Sequence, residues 1–294
     1  MELPFRIVNV FGIEGNPFSG NALGVFEEAS GLDDAEMQAW ARQFNLSEVT
    51  FVDDDPTTAA AGPPTRAAVR IFTATYEMPF AGHPTLGTAE VVADRAAARA
   101  GVPVDEVLLT MPAGEIPVRR TSDGWQLRAN PPQHREASAV PQQVAAALGV
   151  PVGALVDGAT QWVSCGAESL VVQVDDLEAL RAAAPDPALM LEHLAMPERP
   201  PHVYLWAWTG ADTVEARMFA AAGTTLEEDP ATGSACSNLG GWFVAQGRTG
   251  FEVVVSQGAQ TGRPSRLVLT VDPDATIRVA GRVAGVGSGT VSRG

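Results

Sequence analysis

Short stretches that alternate apolar and polar residues give way, again and again, to stretches with apolar residues three and four apart. Strands and helices are therefore predicted to mix along the whole chain. Residues 5–12 (FRIVNVFG) and 20–28 (GNALGVFEE) read as strands on either side of a Gly/Asn/Pro turn. Residues 32–46 read as a helix that Asp33 or Asp34 can cap, with Met37, Trp40, Ala41 and Phe44 as its apolar stripe. Residues 47–53 (SEVTFVD) follow as a strand, and its alternation puts Glu48, Thr50 and Val52 on one face and Val49 and Phe51 on the other. The polar run 56–65 reads as a hairpin connection or loose loop. A strand at 67–73, a helix at 83–100 and short strands at 106–111, 114–120 and 124–129 complete the first half.

The Pro density of residues 130–141 suggests a linker. Beyond it a helix is predicted at 142–149, strands at 161–166, 169–174, 201–209 and 214–220, and helices near 176–184, 186–195 and 235–246. Strands at 251–258, 265–271 and 276–283 close the pattern. The Gly-rich end, GVGSGTVSRG, has no helix after its glycines and reads as a strand end or loose tail, not a nucleotide loop.

The halves echo each other. Arg70-x-Phe72 leads to Glu77-x-Pro79-x-x-Gly82-His83 and then a helix. Arg217-x-Phe219 leads to Glu228-Asp229-Pro230-x-x-Gly233-Ser234 and then a helix. The steps from Glu to Pro to Gly to the polar residue are identical, and SGNALGVF (19–26) has a looser echo in CGAESLVV (165–172). Duplication is the simplest reading. It predicts two similar α+β halves, 1–128 and 129–294, with the last strands free to pack back on the first half, and a cleft between the halves. Each glycine turn heads a helix, where free N–H groups and the helix dipole favour an anion such as a substrate carboxylate. His83 stands where the second half has Ser234, by residue type a good helix N-cap, and Met78 where it has Asp229.

Composition narrows the chemistry. The net charge of −16 disfavours nucleic acid and anionic membrane surfaces as partners. All nineteen basic residues are Arg, which excludes lysine Schiff bases and a P-loop lysine. Cys165 and Cys236 read as buried free thiols. No two of the four histidines are spaced for zinc, so no metal is expected. With no leader-like start and no long apolar run, a cytoplasmic location is expected.

Five segments carry a family likeness. VNVFGIEGNPFSGNALGVF, ARQFNLSEVTFV, RIFTATYEMPFAGHPTLGTAEV, EEDPATGSA and QGAQTGRPSRL resemble, in this order, the signatures of the phenazine-biosynthesis isomerase (PhzF-like) family. The resemblance implies the diaminopimelate epimerase-like fold, in which each half is a barrel-like sheet around a central helix. It implies a cofactor-independent isomerase, typically a homodimer, acting on a small cyclic or unsaturated carboxylate. It points to Glu48 as the acid/base, to His83 and Asp229 as further catalytic residues, and to Ser234, Gly82, Gly233, Thr232 and Asn21 as substrate-binding positions. Epimerases of this fold place one cysteine at each glycine turn; here those places hold Gly82 and Thr232, so a two-thiol racemase is not expected. A lyase or hydrolase-like step on the same scaffold, and a non-catalytic small-molecule binder, are the rival readings.

Overall fold

The computed structural model describes residues 2–53, 64–196 and 199–293. Most of the 56–65 connection falls outside them. The chain divides into two compact units, one made of Met1–Arg128 with Ala280–Gly294 and the other of Ala129–Val279.

The first unit holds β1 (Glu2–Val10), β2 (Asn21–Phe26), α1 (Asp34–Phe44), β3 (Glu48–Asp53), β4 (Thr65–Phe72), β5 (Glu77–Met78) and α2 (Gly82–Ala100). After these come β6 (Glu106–Met111), β7 (Gly114–Thr121) and β8 (Gly124–Arg128). β1 pairs antiparallel with β2, β2 parallel with β3, β3 antiparallel with β4, and β4 antiparallel with β5 and parallel with β6. β7 and β8 extend the ladder antiparallel.

The second unit runs β9 (Gln133–Glu136), α3 (Pro141–Leu148), β10 (Leu155–Ser164), β11 (Glu168–Val174), α4 (Leu177–Ala182), α5 (Pro187–His193) and β12 (His202–Trp208). It continues with β13 (Thr213–Ala222), β14 (Thr225–Asp229), α6 (Gly233–Ala245), β15 (Phe251–Gln257) and β16 (Ser265–Val271). The chain leaves this unit within β17 (Ile277–Gly281). Its ladders follow the same sequence of senses: β10–β11 antiparallel, β11–β12 parallel, β12–β13 and β13–β14 antiparallel, β13–β15 parallel, β15–β16 antiparallel.

The repeat is therefore one of topology, and it extends to register. Phe72 lies opposite Glu77 as Phe219 lies opposite Glu228. Arg70 grips Glu77 through two hydrogen bonds of 2.7 and 2.6 Å, and Arg217 grips Glu228 at 2.9 and 2.7 Å. Each guanidinium also covers the Phe two residues on, at 5.1 and 4.7 Å. Such a two-pronged pair fixes the short strand that delivers each glycine turn.

Several segments differ from the sequence reading: β5 and β14 form where no strand is expected, and β10 begins six residues before the expected strand at 161–166. Within the expected linker, residues 133–136 form β9, paired with β10. The Gly-rich end is a full strand, β18 (Val283–Ser292), paired along β1. Neither shows apolar alternation: β9 is exposed throughout, and β18 is exposed at six of its ten positions, with Val291 packed against the core. Backbone pairing holds β9, and holds β18 together with the packing of Val291.

In the first unit the sheet buries its two faces against different helices. Met37 and Ala41 of α1 pack with Phe26, Val49, Phe51 and Phe72. Burial of each of the larger side chains, Ala41 excepted, is worth about 1.5–3 kcal/mol. Asp33, not Asp34, caps α1, in a capping box with Glu36. On the opposite face lies α2, which touches β1, β2, β3, β4, β6 and β8. Its close approach depends on Gly87, where a Cβ would meet Leu23 Cδ2 at 2.5 Å and Val10 Cγ2 at 2.8 Å. No helix among the described residues is long and apolar enough to cross a membrane.

Candidate active site

Strand alternation assigns Glu48 to the α2 face of β3. Two residues further along that face, the Thr50 hydroxyl meets the Thr88 hydroxyl of α2 at 2.8 Å in the buried interior. Glu48 opens the strand and so stands at the beginning of the same helix. There its Oε2 lies 3.5 Å from Nδ1 of His83, the second residue of α2. The Glu48 side chain is 17% exposed and that of His83 6%.

Burial governs the imidazole. It lowers the His83 pKa to about 3, with a hydrogen bond to the backbone of Ala22 pulling in the other direction. At neutral pH the ring is therefore uncharged, and its contact with Glu48 is not an ion pair. Nε2 of the buried ring has no hydrogen-bond partner among the described residues. A neutral ring has a single N–H; with it committed at Nδ1 to the Ala22 backbone, Nε2 is a bare acceptor that can receive a hydrogen bond from a bound molecule but is too weakly basic to take its proton.

Gly82 is buried at the first position of α2. The helix carries no side-chain cap and no acidic residue in its first turn, so no side chain there competes for its leading N–H groups. Asn21 begins β2, is 2% exposed, and immediately precedes Ala22. The first unit thus brings together Glu48, His83 and Gly82, with Asn21 next to the Ala22 contact.

The second unit gathers Asp229, Thr232, Gly233 and Ser234. α6 begins at Gly233, likewise with no side-chain cap and no acidic residue in its first turn. Ser234, expected from its residue type to cap the helix, sits inside the first turn instead; Thr232 holds the cap position. The Thr232 hydroxyl does not cap either; it donates to Asp229 Oδ2 and accepts from Gln257 Nε2. Sequence reasoning missed Gln257 and Tyr204. Gln257 Nε2 donates to the Asp229 carbonyl at 2.8 Å and to Thr232 Oγ1 at 3.0 Å, and the buried Tyr204 hydroxyl donates to Gln257 Oε1 at 3.3 Å. The one signal for Gln257 was its place at the head of the QGAQTGRPSRL segment.

Both cysteines are buried and unpaired. Burial pushes the Cys165 thiol up to about 12 and raises Cys236 as well, so neither supplies a thiolate at neutral pH.

Comparison with known proteins places this geometry. A family model described as phenazine biosynthesis-like protein (PhzC-PhzF) matches residues 8–291. An uncharacterized isomerase of Pasteurella multocida is 35% identical over 288 residues, covering 97% of this chain and 92% of the relative. The trans-2,3-dihydro-3-hydroxyanthranilate isomerase of Pseudomonas aeruginosa is 32% identical, covering 89% and 88%. In fold, the crystal structure of the Bacillus anthracis phenazine biosynthesis protein of the PhzF family superposes over 100% of both chains, with a TM-score of 0.81 at 22% identity. The chain belongs to the phenazine biosynthesis-like family, a family of isomerases.

Proposed function

We propose that the protein moves a proton between carbons of a small cyclic or unsaturated carboxylate, without a cofactor, and that Glu48 is the acid/base. One observation carries this reading: a half-buried carboxylate 3.5 Å from a buried, neutral imidazole at an uncapped helix start. Glu48 takes a proton from an acidic C–H. The electron pair left behind spreads into the substrate's unsaturation, because an isolated carbanion is too costly for one carboxylate to generate. The same carboxyl group returns the proton to a different carbon, so the product is an isomer and no bond between heavy atoms breaks. His83 accepts at Nε2 a hydrogen bond from a donor on the substrate, and the N–H groups leading α2 favour an anionic group nearby. The start of α6, with Asp229 and Ser234, serves substrate binding.

The Pseudomonas aeruginosa relative makes trans-2,3-dihydro-3-hydroxyanthranilate the first compound to test. The unpaired thiols suit a reducing compartment, and we place the enzyme in the cytoplasm as a homodimer. The test is deuterium uptake from heavy water into this compound and related cyclic carboxylates. Wild type should incorporate deuterium as it isomerises the substrate, and Glu48→Gln should lose about 10²–10⁴-fold in rate. Wild-type exchange in Glu48→Gln would overturn the assignment.

A further inference from the structure

The two helix starts are built differently at three equivalent positions. Met78 lies opposite Ile71 as Asp229 lies opposite Met218, so Met78 and Asp229 share a place. Ala81 and Thr232 each precede the first helical glycine. The parallel ladders pair Ala68 with Thr110 and Glu215 with Ser256, which makes Met111 and Gln257, one residue on, the third pair. The first unit makes its turn with Met78, Ala81 and Met111. The scaffold therefore does not need a polar trio to start this helix, and the Asp229–Thr232–Gln257 set calls for another explanation.

Its hydrogen bonds have a direction. The Gln257 amide is 2% exposed, and its orientation is set by main-chain groups that can act only one way. Nε2 donates to the Asp229 carbonyl, and Oε1 faces the Thr232 N–H at 3.4 Å. Because Nε2 also donates to Thr232 Oγ1, that hydroxyl's single proton is directed to Asp229 Oδ2. Tyr204, fully buried with its ionisation pushed well up by burial, closes the chain from behind as a neutral phenol.

We infer that Gln257 is a positioning residue: through the Thr232 hydroxyl it aims the Asp229 carboxylate as a fixed acceptor for a hydrogen-bond donor on the substrate, an ammonium or a hydroxyl. This inference rests on the isomerase reading above. A relay of this kind acts in series, so losing either link releases the same carboxylate.

The experiment uses Thr232→Val, Thr232→Ser, Gln257→Leu and the Val/Leu double variant. A further variant, Gln257→Met, copies the first unit and stands in if the leucine variant fails to fold. Turnover and deuterium uptake are measured with trans-2,3-dihydro-3-hydroxyanthranilate. Thr232→Val and Gln257→Leu should each lower kcat/KM by roughly 10–100-fold, the range expected for losing a hydrogen bond to a charged group. The loss should appear mainly in KM, Thr232→Ser should restore activity to within about threefold, and the double variant should lose no more than the worse single one. Losses that multiply, or a serine variant as impaired as the valine, would overturn the inference. Crystal structures of the variants give a readout independent of turnover. In Gln257→Leu the Asp229 carboxylate should rotate while the main chain of 229–234 stays in place; an unmoved carboxylate contradicts the inference. If wild type exchanges no deuterium with any compound tested, the isomerase reading falls, and the crystallographic comparison still decides the positioning role.

Discussion

The turn that opens α2 and the turn that opens α6 share a skeleton and differ in their chemistry. In both, an arginine grips a glutamate with two prongs and covers a phenylalanine, and the ladder registers agree residue for residue. Around the first turn the polar groups are Glu48 and a neutral His83, set among Met78, Ala81 and Met111. Around the second they are Asp229, Thr232 and Gln257, with Ser234 where the first has His83. Register also makes His202 the counterpart of Glu48, because Val203 lies opposite Phe219 as Val49 lies opposite Phe72. The two turns share the framework that aims a helix start and differ in the side chains that surround it. The proton shuttle proposed here calls for such asymmetry, since one group must exchange the proton while others hold the molecule still.

The largest effect expected from breaking this comparison is on catalysis, where Glu48→Gln should remove about 10²–10⁴-fold of the exchange rate. Next comes the shared arginine. Arg217 is 7% exposed and also donates to the carbonyls of Leu180, Arg181 and Ala183. Arg217→Met should cost about 3–5 kcal/mol, because it strands Glu228 and these carbonyls. Arg70 is 32% exposed and its further partner is the exposed Asp34, so Arg70→Met should cost roughly 1 kcal/mol. Chemical denaturation of both variants reads the difference, and equal losses would mean the two devices are not distinguished by burial.

Packing of the central helix comes third. Gly87→Ala should destabilise the first unit by about 1–3 kcal/mol, because the new methyl group meets Leu23 and Val10. An unchanged thermal midpoint would show that α2 shifts freely.

The last test is a pH slope. His83 takes up a proton near pH 3 when folded and near its ordinary 6.5 when unfolded. Between these values the unfolded state binds more protons, so stability falls as the pH drops through 6.5 towards 3, by up to about 1.4 kcal/mol per pH unit from this group. Burial lowers His202 as well, which adds a slope of the same sign. His83→Gln should remove only the His83 share; an unchanged slope would mean that the ring is protonated in the folded protein.

Much of this was legible in the sequence because the repeat is written in local spacings. Glu, Pro, Gly and the polar residue recur at fixed steps, and those steps are the register of β5 and β14. The alternation in SEVTFVD placed Glu48 on the face of Thr50, which the Thr50–Thr88 contact bears out. Other features left no periodic trace. β5 is too short to show a period, and β9 and β18 are held mainly by backbone pairing at exposed positions. Gln257 lies 25 residues from Thr232 and 53 from Tyr204, so only the fold reveals what it holds. The capping role expected of Ser234 failed by a shift of two positions, which residue type alone cannot resolve.

The division of labour between the two turns is tested most directly by the deuterium exchange of Glu48→Gln and Asp229→Asn across a range of trans-2,3-dihydro-3-hydroxyanthranilate concentrations. Glu48→Gln should stay slow however much substrate is present, whereas Asp229→Asn should approach the wild-type rate at saturation. A Glu48→Gln enzyme rescued by substrate, alongside an Asp229→Asn enzyme that is not, would contradict the account.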